Sequence, residues 1–333
     1  MSTQTQQNSP TLCSEAPHPT SRWKNGLWYA YSDFLNARFG EKVYKITVSA
    51  GFTCPTRDGT RGTMGCAFCD ERGSSSFFAS GKASASIEEQ IRQTMPRVAK
   101  RFTAGKFLAY FQSYTNTYGP LNYLREVYDG ALNIPDVVGL AIGTRPDCVP
   151  GDVLALINSY GKSRYVSLEL GLQSLRDEAL DFYERGHSVA EGIDAVERAV
   201  KFPNIHVAVH LMFGAPGDTI EHVIEAARTM NRLGVHGVKI HQLMILKNTI
   251  LGERYANAPW PLLTMDEYNR MAMAFLENLD PRIHVERTHA LSSHPLELAG
   301  PAWSALRFEP QNTLRKLMQD NDSYQGKALA ALH

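Results

Sequence analysis

The chain of 333 residues carries 34 basic and 34 acidic side chains, so its formal net charge is zero. This balance excludes the strongly basic composition of proteins that bind nucleic-acid backbones without sequence preference. Hydrophobic residues make up 43% and charged residues 20% of the chain, which is a globular composition and excludes disorder as the dominant state.

No stretch of the sequence reaches the roughly 18 consecutive apolar residues that a membrane-spanning helix needs. The first residues also lack the apolar segment of a signal peptide. We therefore predict a cytoplasmic protein without membrane contact, in a compartment where thiols stay reduced.

Three segments are expected along the chain. Residues 1–22 are rich in Ser, Thr, Gln and Pro and lack apolar periodicity, which predicts a disordered tail. Residues 23–254 are expected to form the core domain. Residues 255–333 are richer in proline and predict a small C-terminal α+β subdomain, with a strand near Ile283–Arg287 and a helix over Pro310–Gln319.

Six apolar runs rich in β-branched and aromatic residues predict six β-strands. After the second run they recur about every 30 to 40 residues, which is the size of a βαβ unit. Because strands separated by helices form parallel sheets that are covered on both faces, we predict an α/β fold with a partial (β/α)6 TIM-type barrel. A doubly wound sheet stays open as the alternative, since periodicity does not report how a sheet curves. The six runs are Val43–Val48, Phe107–Phe111, Val137–Ile142, Tyr165–Leu170, Ile205–Phe213 and Val238–Ile245.

Capping signals predict where the helices begin and end. Ser86 and Glu89 have the spacing of a capping box, which predicts the start of a helix. Asp152 begins a second helical segment, and Thr219 precedes a third that Gly234 terminates. These helices fall between predicted strands, as an α/β alternation requires.

Three of the five cysteines lie in one glycine-rich loop that follows the first predicted strand. Cys54, Cys66 and Cys69 have the spacing C-x11-C-x2-C, at the edge where parallel α/β folds bind ligands. A structural zinc site needs four ligands, and the next histidine along the chain is His187, far from the loop in sequence. Three cysteines can hold a [4Fe–4S] cluster and leave one iron open. The spacing therefore favours an iron–sulfur cluster, with zinc as the alternative.

This loop, including Phe68, resembles the cluster loop of radical S-adenosylmethionine (radical SAM) enzymes. Its long first spacing is similar to that of the branch containing the Elongator catalytic subunit. More narrowly, residues 40–330 resemble the bacterial YhcC family of radical SAM proteins. Seven segments carry the resemblance, each at a strand end and in the same order, namely GFTCPTRDGT, LAYFQSYTNTY, IGTRPDCVP, LELGLQS, RGH, FGAPGDT and VKIHQLMILKNT.

The resemblance implies a partial barrel of the radical SAM kind that binds one [4Fe–4S] cluster through the three cysteines. An electron donor such as flavodoxin or ferredoxin would reduce the cluster, and SAM would be cleaved to methionine and a 5′-deoxyadenosyl radical that acts on an unknown substrate. Only Cys13 and Cys148 remain outside the loop, so a second cysteine-held cluster in the same chain is not expected.

The resemblance also implies where SAM is bound. Gln112, Ser113 and Asn116 follow the second strand, where the family holds the amino group of the methionine moiety. They supply acceptors, although the usual Gly-Gly-Glu is absent. Arg145 follows the third strand, and its planar guanidinium suits a carboxylate of cofactor or substrate. For Gln112, Ser113 and Asn116, a polar loop without a ligand is the alternative.

Glu169 and Gln173 share one face of the fourth strand, because alternate residues of a strand point the same way. Both can bond ribose hydroxyls, and by resemblance Gln173 and Arg185 contact SAM. For Glu169 an ion pair with Arg145 or Arg185 is equally expected, since a buried carboxylate needs a partner.

Other polar residues near the strand ends have two interpretations. Cys148 is either a reactive thiol or, more commonly for an isolated cysteine, a small buried side chain. Lys239 and Lys247 flank the predicted rim and can meet an anionic substrate. The histidines of the fifth and sixth strands are candidates for the cavity, although satisfied core histidines are commoner, and they are His206, His210 and His241.

Two further functions stay open. A tRNA substrate is favoured by the Elongator resemblance, whereas the neutral charge requires any RNA contact to come from a local basic patch. A non-catalytic iron–sulfur or zinc protein that senses redox state would use the same three thiols. The residues expected to form such a patch beside the cluster are Lys24, Lys42, Lys45, Arg57 and Arg61.

Overall fold

Strands and helices alternate along most of the chain. The computed structural model describes residues 23–73, 85–292 and 294–330, so the predicted tail at 1–22 lies outside the described residues. In chain order the strands are β1 (Val43–Val48), β2 (Lys106–Phe111), β3 (Val137–Thr144), β4 (Tyr165–Gln173), β5 (His206–Phe213), β6 (Gly237–Gln242), β7 (Ile245–Leu246), β8 (His284–Arg287) and β9 (Leu298–Gly300). The six predicted strands are confirmed, and the last of them is divided into β6 and β7.

The helices between and after the strands cover the outer face of the sheet. They are α1 (Tyr31–Phe39), α2 (Ile87–Phe102), α3 (Leu121–Leu132), α4 (Gly151–Gly161), α5 (Asp177–Phe182), α6 (Val189–Val200), α7 (Ile220–Leu233), α8 (Ile250–Asn257), α9 (Met265–Glu277), α10 (Glu309–Asp320) and α11 (Lys327–Ala330). Short 3-10 turns lie at Pro146–Cys148, Pro295–Glu297 and Ala302–Ala305. Among the described residues, no helix is both long and apolar enough to cross a membrane.

Capping contacts confirm the helix starts predicted at Ser86 and Thr219, whereas α4 begins at Gly151, one residue before the predicted Asp152, without a side-chain cap. Ser86 accepts a hydrogen bond from the Glu89 N–H, and the Glu89 carboxylate accepts one from the Ser86 N–H in return. Thr219 caps α7 in the same manner. Gly234 ends α7 with φ 67°, a left-handed conformation that glycine adopts at little cost. These local signals set the lengths of the helices that separate the strands.

Seven strands of the described chain form one parallel sheet in the order β1-β2-β3-β4-β5-β6-β8. Each strand lies beside the strand before it, whereas a doubly wound sheet reverses its order at a switch point. The curled parallel sheet confirms the predicted partial barrel. The small sheet of β7 and β9 is antiparallel.

The count of six barrel strands is too low by one. Strand β8 pairs in parallel with β6, with Gly237 opposite His284 and Val238 opposite Val285. The sequence predicts this strand as part of the C-terminal subdomain, because its four residues include Glu286 and Arg287 and form no apolar run. Strand β8 pairs with the edge of β6, about 40 residues earlier in the chain. Local periodicity does not report such a long-range pairing.

Alternation along β4 separates the core from the lumen of the barrel. Leu168, Leu170 and Leu172 are buried in the main hydrophobic core, between the sheet and its helices. The residues between them point to the concave face, and Glu169 is one of these. The sheet is therefore apolar where it meets the helices and polar on the inside, where a ligand can be held.

Aromatic rings and histidines pack together at the amino-terminal end of the barrel. Phe34 stacks on His206 and on His284, with ring centroids 4.9 Å apart in both pairs. The His206 and His284 rings lie parallel 4.5 Å apart, with their Nε2 atoms in contact. Burial holds the pKa of His206 well below its usual value, so the ring is neutral. His206 is thus a core histidine and not a residue of the cavity at the opposite end.

Candidate cofactor site at the carboxyl ends of the strands

The cysteine loop, defined here as residues 49–73, is built around one arginine. The Arg57 guanidinium donates to the Asp70 carbonyl at 2.7 Å. A Cβ on Gly65, which has φ 83°, would come within 2.9 Å of that guanidinium, so only glycine fits there. The Ala67 N–H donates to the Tyr183 carbonyl at 2.8 Å, which ties the loop to the segment after β4. The loop is therefore held in place by the rest of the fold.

The thiols of Cys54, Cys66 and Cys69 line one cavity of about 290 Å³ at the carboxyl ends of the strands. The Thr115 hydroxyl donates to Cys54 Sγ at 3.0 Å, and Arg185 Nη1 donates to Cys66 Sγ at 3.1 Å. Burial favours a high pKa for Cys66, but the charges of Arg185 and Arg145 bring that pKa below its usual value. Burial raises the pKa of Cys54.

The donor set of the cysteine loop fits an iron–sulfur cluster. Three thiols from one loop face one cavity, and hydrogen-bond donors of Thr115 and Arg185 reach two of the sulfurs. Within the described ranges, no three His, Cys, Asp or Glu side chains are gathered closely enough to hold a single metal ion. The cysteines of a [4Fe–4S] cluster bind different irons, so their sulfurs do not converge on one point.

Two guanidinium groups besides that of Arg57 lie at the thiol end of the cavity. Arg145 holds Asp147 through two hydrogen bonds of 2.9 Å, and it also donates to the Arg185 carbonyl at 2.6 Å. The carboxylate partner expected for Arg145 is therefore supplied by the chain itself. Arg185 Nη2 donates to the Gly171 carbonyl at 2.7 Å, whereas its Nε has no hydrogen-bond partner among the described residues.

Gln173 presents an unsatisfied acceptor to the cavity. It ends β4 at a bulge in the pairing with β5 and has φ 69°, an uncommon conformation for a residue with a side chain. Its Oε1 is buried, and no described residue donates to it. A buried amide oxygen without a donor is costly, so a ligand that donates to it would be stabilised.

The segment after β2 divides into a residue that lines the cavity and two that do not. Gln112 lines the cavity, whereas Ser113 and Asn116 lie outside its lining. The Asn116 side chain donates to the Phe111 carbonyl at 3.1 Å and to the Gly143 carbonyl at 2.8 Å. It therefore joins the ends of β2 and β3, while its Oδ1 is buried without a donor among the described residues, so its contact with SAM stays a prediction.

Glu169 is fully buried and is paired with lysines, not with Arg145 or Arg185. Its carboxylate lies 2.5 Å from Lys45 Nζ and 2.8 Å from Lys239 Nζ. Burial acts to raise the pKa of Glu169, but the two ammonium groups hold it well below its usual range. His210 Nε2 lies 2.8 Å from the same carboxylate, so both oxygens are already engaged.

The charged group around Glu169 extends to β8. Lys45 also binds Glu286 at 2.6 Å, and Lys239 donates to the Tyr110 hydroxyl at 2.9 Å. Burial brings the pKa of Lys239 down to about 8. Lys45 and Lys239, at inward positions of the first and sixth predicted strands, were the sequence signal for this charged group. Only the strand register shows that both lysines meet the carboxylate of Glu169. Sequence reasoning missed the roles of Tyr110, Thr115, Glu286 and Arg287.

Two models of known families match the chain. The model of the Radical SAM superfamily matches residues 58–230, and that of the Radical SAM C-terminal domain matches residues 235–320. The chain is 34% identical over 312 residues to YtqA of Bacillus subtilis, which covers 93% of this chain and 95% of that protein. It is also 34% identical over 296 residues to YhcC of Escherichia coli K12, covering 89% of this chain and 93% of that one.

The chain belongs to the radical SAM superfamily.

As a radical SAM enzyme of the YhcC-like kind, it uses a [4Fe–4S] cluster and SAM, which confirms the predicted cofactors. Its fold is similar to that of Elp3 from Methanocaldococcus infernus, with a TM-score of 0.65 and 18% identity. The likeness covers 85% of this chain and 64% of the Elp3 chain. A shorter sequence match, 32% identical over 135 residues, relates it to the tRNA uridine(34) acetyltransferase of Dehalococcoides mccartyi, covering 38% of this chain and 28% of that protein.

The other candidate residues of this radical SAM enzyme lie partly inside and partly outside the cavity. Cys148 is 5% exposed, and burial raises its pKa to about 12, so it is a buried side chain and not a reactive thiol. His210, His241 and Lys239 line the cavity. Lys247 is exposed and donates to the Leu296 carbonyl at 3.0 Å, outside the cavity lining.

Proposed function

We propose that Cys54, Cys66 and Cys69 hold one [4Fe–4S] cluster and that the enzyme cleaves SAM reductively to a 5′-deoxyadenosyl radical, which abstracts hydrogen from a substrate. When bound and reduced, the cluster supplies the electron that breaks a carbon–sulfur bond of SAM. The supporting observation is that the three thiols share a single cavity with the unsatisfied amide of Gln173 and the Arg185 guanidinium.

In this proposal, the residues beside the thiols stabilise the cysteine ligands of the cluster. The Thr115 O–H and the Arg185 N–H donate to sulfur atoms that carry negative charge when they act as ligands. Arg185 is itself held by the Gly171 carbonyl, and its cation lies 5.9 Å from the centre of the Phe68 ring. These contacts fix both the charge and the orientation of the ligand set.

Six of the predicted SAM contacts line the cavity, and we assign SAM to this lining. Gln173 Oε1 would accept a hydrogen bond from a ribose hydroxyl, since no described residue donates to it. A ribose contact by Glu169 would have to replace one of its present bonds to Lys45, Lys239 or His210. The six residues are Phe68, Gln112, Arg145, Glu169, Gln173 and Arg185.

The barrel lumen protects reactive species. The cavity lies between the cysteine loop and the inward side chains of the strands, and its deep end is closed by Tyr110, Glu169 and Lys239, each of them buried. Exclusion of water from such a site prevents quenching of a radical before it meets the substrate.

SAM cleavage by the reconstituted protein is the direct test. We expect anaerobically reconstituted protein to form 5′-deoxyadenosine when it is given SAM and dithionite, and Cys54→Ala, Cys66→Ala and Cys69→Ala to abolish it. Cys148→Ala is the matched control, because this thiol is buried outside the cavity lining, and it should keep full cleavage. Iron content and the electron paramagnetic resonance of the reduced cluster report ligation independently of activity.

Two results would contradict the proposal. One is a protein with a fully loaded cluster that does not cleave SAM. The other is zinc in place of iron in anaerobically purified protein, with no affinity for SAM in a titration. That second result would favour the non-catalytic metal-binding or redox-sensing alternative.

A tRNA substrate is the second candidate, and it is supported by the partial similarity to a tRNA uridine(34) acetyltransferase. The basic patch predicted beside the cluster does not support it. Lys45 lies in the lumen between Glu169 and Glu286, and Arg61 pairs with Glu191 at 2.7 Å. Lys42 precedes β1 and so lies at the opposite end of the barrel from the cysteine loop. A deletion strain whose tRNA shows no altered nucleoside by mass spectrometry would exclude this candidate.

A further inference from the structure

Arg287 is a partly buried cation that forms no ion pair with a described residue. It is the last residue of β8, and its side chain lines the cavity. Its Nε atom is buried without a hydrogen-bond partner, and its guanidinium forms no ion pair with any carboxylate of the described residues. A guanidinium stays charged in proteins, so Arg287 presents to the cavity a positive charge to which no carboxylate is directly bound.

Glu169 and Glu286, the carboxylates whose charges act on Arg287, are both bound by lysines, and only Glu286 Oε1 has no hydrogen-bond partner among the described residues. Glu169 is bound by Lys45 and Lys239, and Glu286 is bound by Lys45 at 2.6 Å, with Lys239 4.0 Å away. Lys45 and Lys239 therefore balance the two carboxylate charges, and no third carboxylate pairs with Arg287 among the described residues. Removing a charge from water without a partner is costly, and such a cost is commonly retained where a ligand supplies the missing charge.

Arg287 also lies apart from the guanidinium groups at the thiol end of the cavity. Arg145 and Arg185 both reach Cys66 Sγ, at 3.6 Å and 3.1 Å. Arg287 instead pairs in register with Lys239 on β6, and Lys239 contacts Tyr110 and Glu169. The cavity thus has two separate cationic ends, one beside the thiols and one beside β6 and β8.

A second group at the β6 end suits a polar ligand. His241 lines the cavity, and its Nδ1 lies 3.0 Å from the Gln242 carbonyl, so Nδ1 carries the proton and donates. Burial holds the pKa of His241 well below its usual value, which keeps the ring neutral. Its Nε2 is then an acceptor, suited to a hydroxyl or amine hydrogen of the same ligand.

We propose that Arg287 binds an anionic group, a carboxylate or a phosphate, of the substrate on which the enzyme acts. The planar fork of a guanidinium matches the paired oxygens of both groups. This inference rests on the proposed function, because it assigns the thiol end of the cavity to SAM and the β6–β8 end to a second molecule. That molecule would then be an anion that carries a carboxylate or a phosphate.

Anion binding by the unloaded protein tests the site without activity. Inorganic phosphate and acetate are the probes, and their binding is measured in a titration from the line widths of their 31P and 13C signals. Arg287→Gln should weaken binding of the preferred probe at least tenfold, and Arg287→Lys should retain part of the affinity. Arg228→Gln is the matched control, because Arg228 is exposed on the outer face of α7, and it should bind as the wild type does. Preference for phosphate or for acetate distinguishes a phosphorylated from a carboxylated substrate.

Thermal unfolding separates a binding role from a structural one. If Arg287 is kept for a ligand, Arg287→Gln removes an unpaired, partly buried charge and should melt at or above the wild-type temperature. A large loss of melting temperature in both Arg287→Gln and Arg287→Lys would assign Arg287 to structure and overturn the proposal. Equal binding of both probes by wild type and Arg287→Gln, or no binding by wild type, would overturn it too.

The same titration with cluster-loaded protein and saturating SAM separates the site from the cofactor. The probe should still bind, since the proposal gives it a separate end of the cavity. Competition between SAM and the probe would assign Arg287 to SAM and overturn the inference, while leaving the proposed function intact. A loaded protein that neither binds nor cleaves SAM, but whose unloaded form binds the probe through Arg287, would overturn the proposed function and leave the anion site standing.

Discussion

Glu169 illustrates how single residues are placed in this protein. A carboxylate with no exposed surface keeps its charge because two lysines from distant strands converge on it. Removing one partner of such a buried ion pair typically lowers the free energy of unfolding by about 3–5 kcal/mol, because the other charge stays buried without a partner. Arg287 differs because it is only partly buried and forms no ion pair with a described residue, and this contrast is the basis for the proposed anion site.

Cys148 should be unreactive in the folded protein. Its thiol is 5% exposed and burial raises its pKa to about 12, so almost no thiolate is present at neutral pH. We expect iodoacetamide to label Cys148 in the unloaded protein only after denaturation, as followed by mass spectrometry of its peptide. Rapid labelling under native conditions would show that the thiol is accessible.

His289 should contribute to loss of stability in acid. Its ring is satisfied as a neutral group, with Nε2 2.8 Å from Asn269 Oδ1 and Nδ1 2.9 Å from the Thr288 hydroxyl, and burial lowers its pKa to about 3. In the unfolded chain His289 binds a proton near pH 6.5, whereas in the folded chain it binds one only near pH 3. The free energy of unfolding therefore falls as the pH drops from about 6.5 towards 3.

The measurement for His289 is a comparison of slopes. Each such histidine contributes at most about 1.4 kcal/mol per pH unit to the free energy of unfolding. Urea unfolding of the unloaded protein at pH 7, 6 and 5 should therefore give a shallower pH dependence for His289→Gln than for wild type. Identical slopes would show that His289 titrates alike in both states.

Secondary-structure elements are bounded by short local signals. Capping boxes at Ser86 and Thr219 and the left-handed Gly234 set helix ends independently of what the helices pack against. This independence explains why these boundaries were predictable from the residues alone. Strand pairing is different, since the short β8 acquires its role only beside β6.

A pair of glycine substitutions tests the backbone role at helix ends. Gly234 has φ 67° and Gly151, the first residue of α4, does not lie in the left-handed region, while neither has an atom within 4 Å of an added Cβ. Gly234→Ala should lower the free energy of unfolding by about 1–2 kcal/mol through strain alone. Gly151→Ala should raise it by about 0.4–1 kcal/mol by restricting the unfolded chain. Chemical denaturation measures both, and equal effects of the two changes would contradict this assignment.

On the scale of the whole molecule, the C-terminal part of the chain completes the barrel. Strand β8 covers the edge of β6, and Val285 of β8 also bridges Ala30 near the start of the described chain. Glu286 from the same strand binds Lys45 on β1, across the lumen. The predicted division at residue 254 stays a prediction, but one strand beyond it belongs to the barrel sheet.

A fragment of residues 1–254 should therefore fold poorly. It would expose the edge of β6 and leave Lys45 with one carboxylate fewer. We expect this fragment to lack a cooperative thermal transition by circular dichroism and to bind a hydrophobic dye, whereas the full chain melts cooperatively. A fragment that melts as sharply as the full chain would show that the core is independent of β8.

Local pattern in the sequence predicted most of the elements and the cysteine loop as the cluster-binding segment. The cysteine spacing, the six apolar runs, the capping boxes and the alternation along β4 are short-range features, and the structure and the family comparisons agree with what they predict about fold and cofactors. Such features report backbone geometry over a few residues, where each amino acid has its own preference.

Tertiary structure alone decided which charges meet inside the barrel. Register across β4, β5, β6 and β8 brings Lys239 to Glu169 and leaves Arg287 without a partner, whereas the sequence suggested an arginine for Glu169. It also turns Asn116 towards two backbone carbonyls. The physical reason is that an ion pair depends on the positions of two residues far apart in the chain, and these are set by strand pairing and not by the local preferences of either residue.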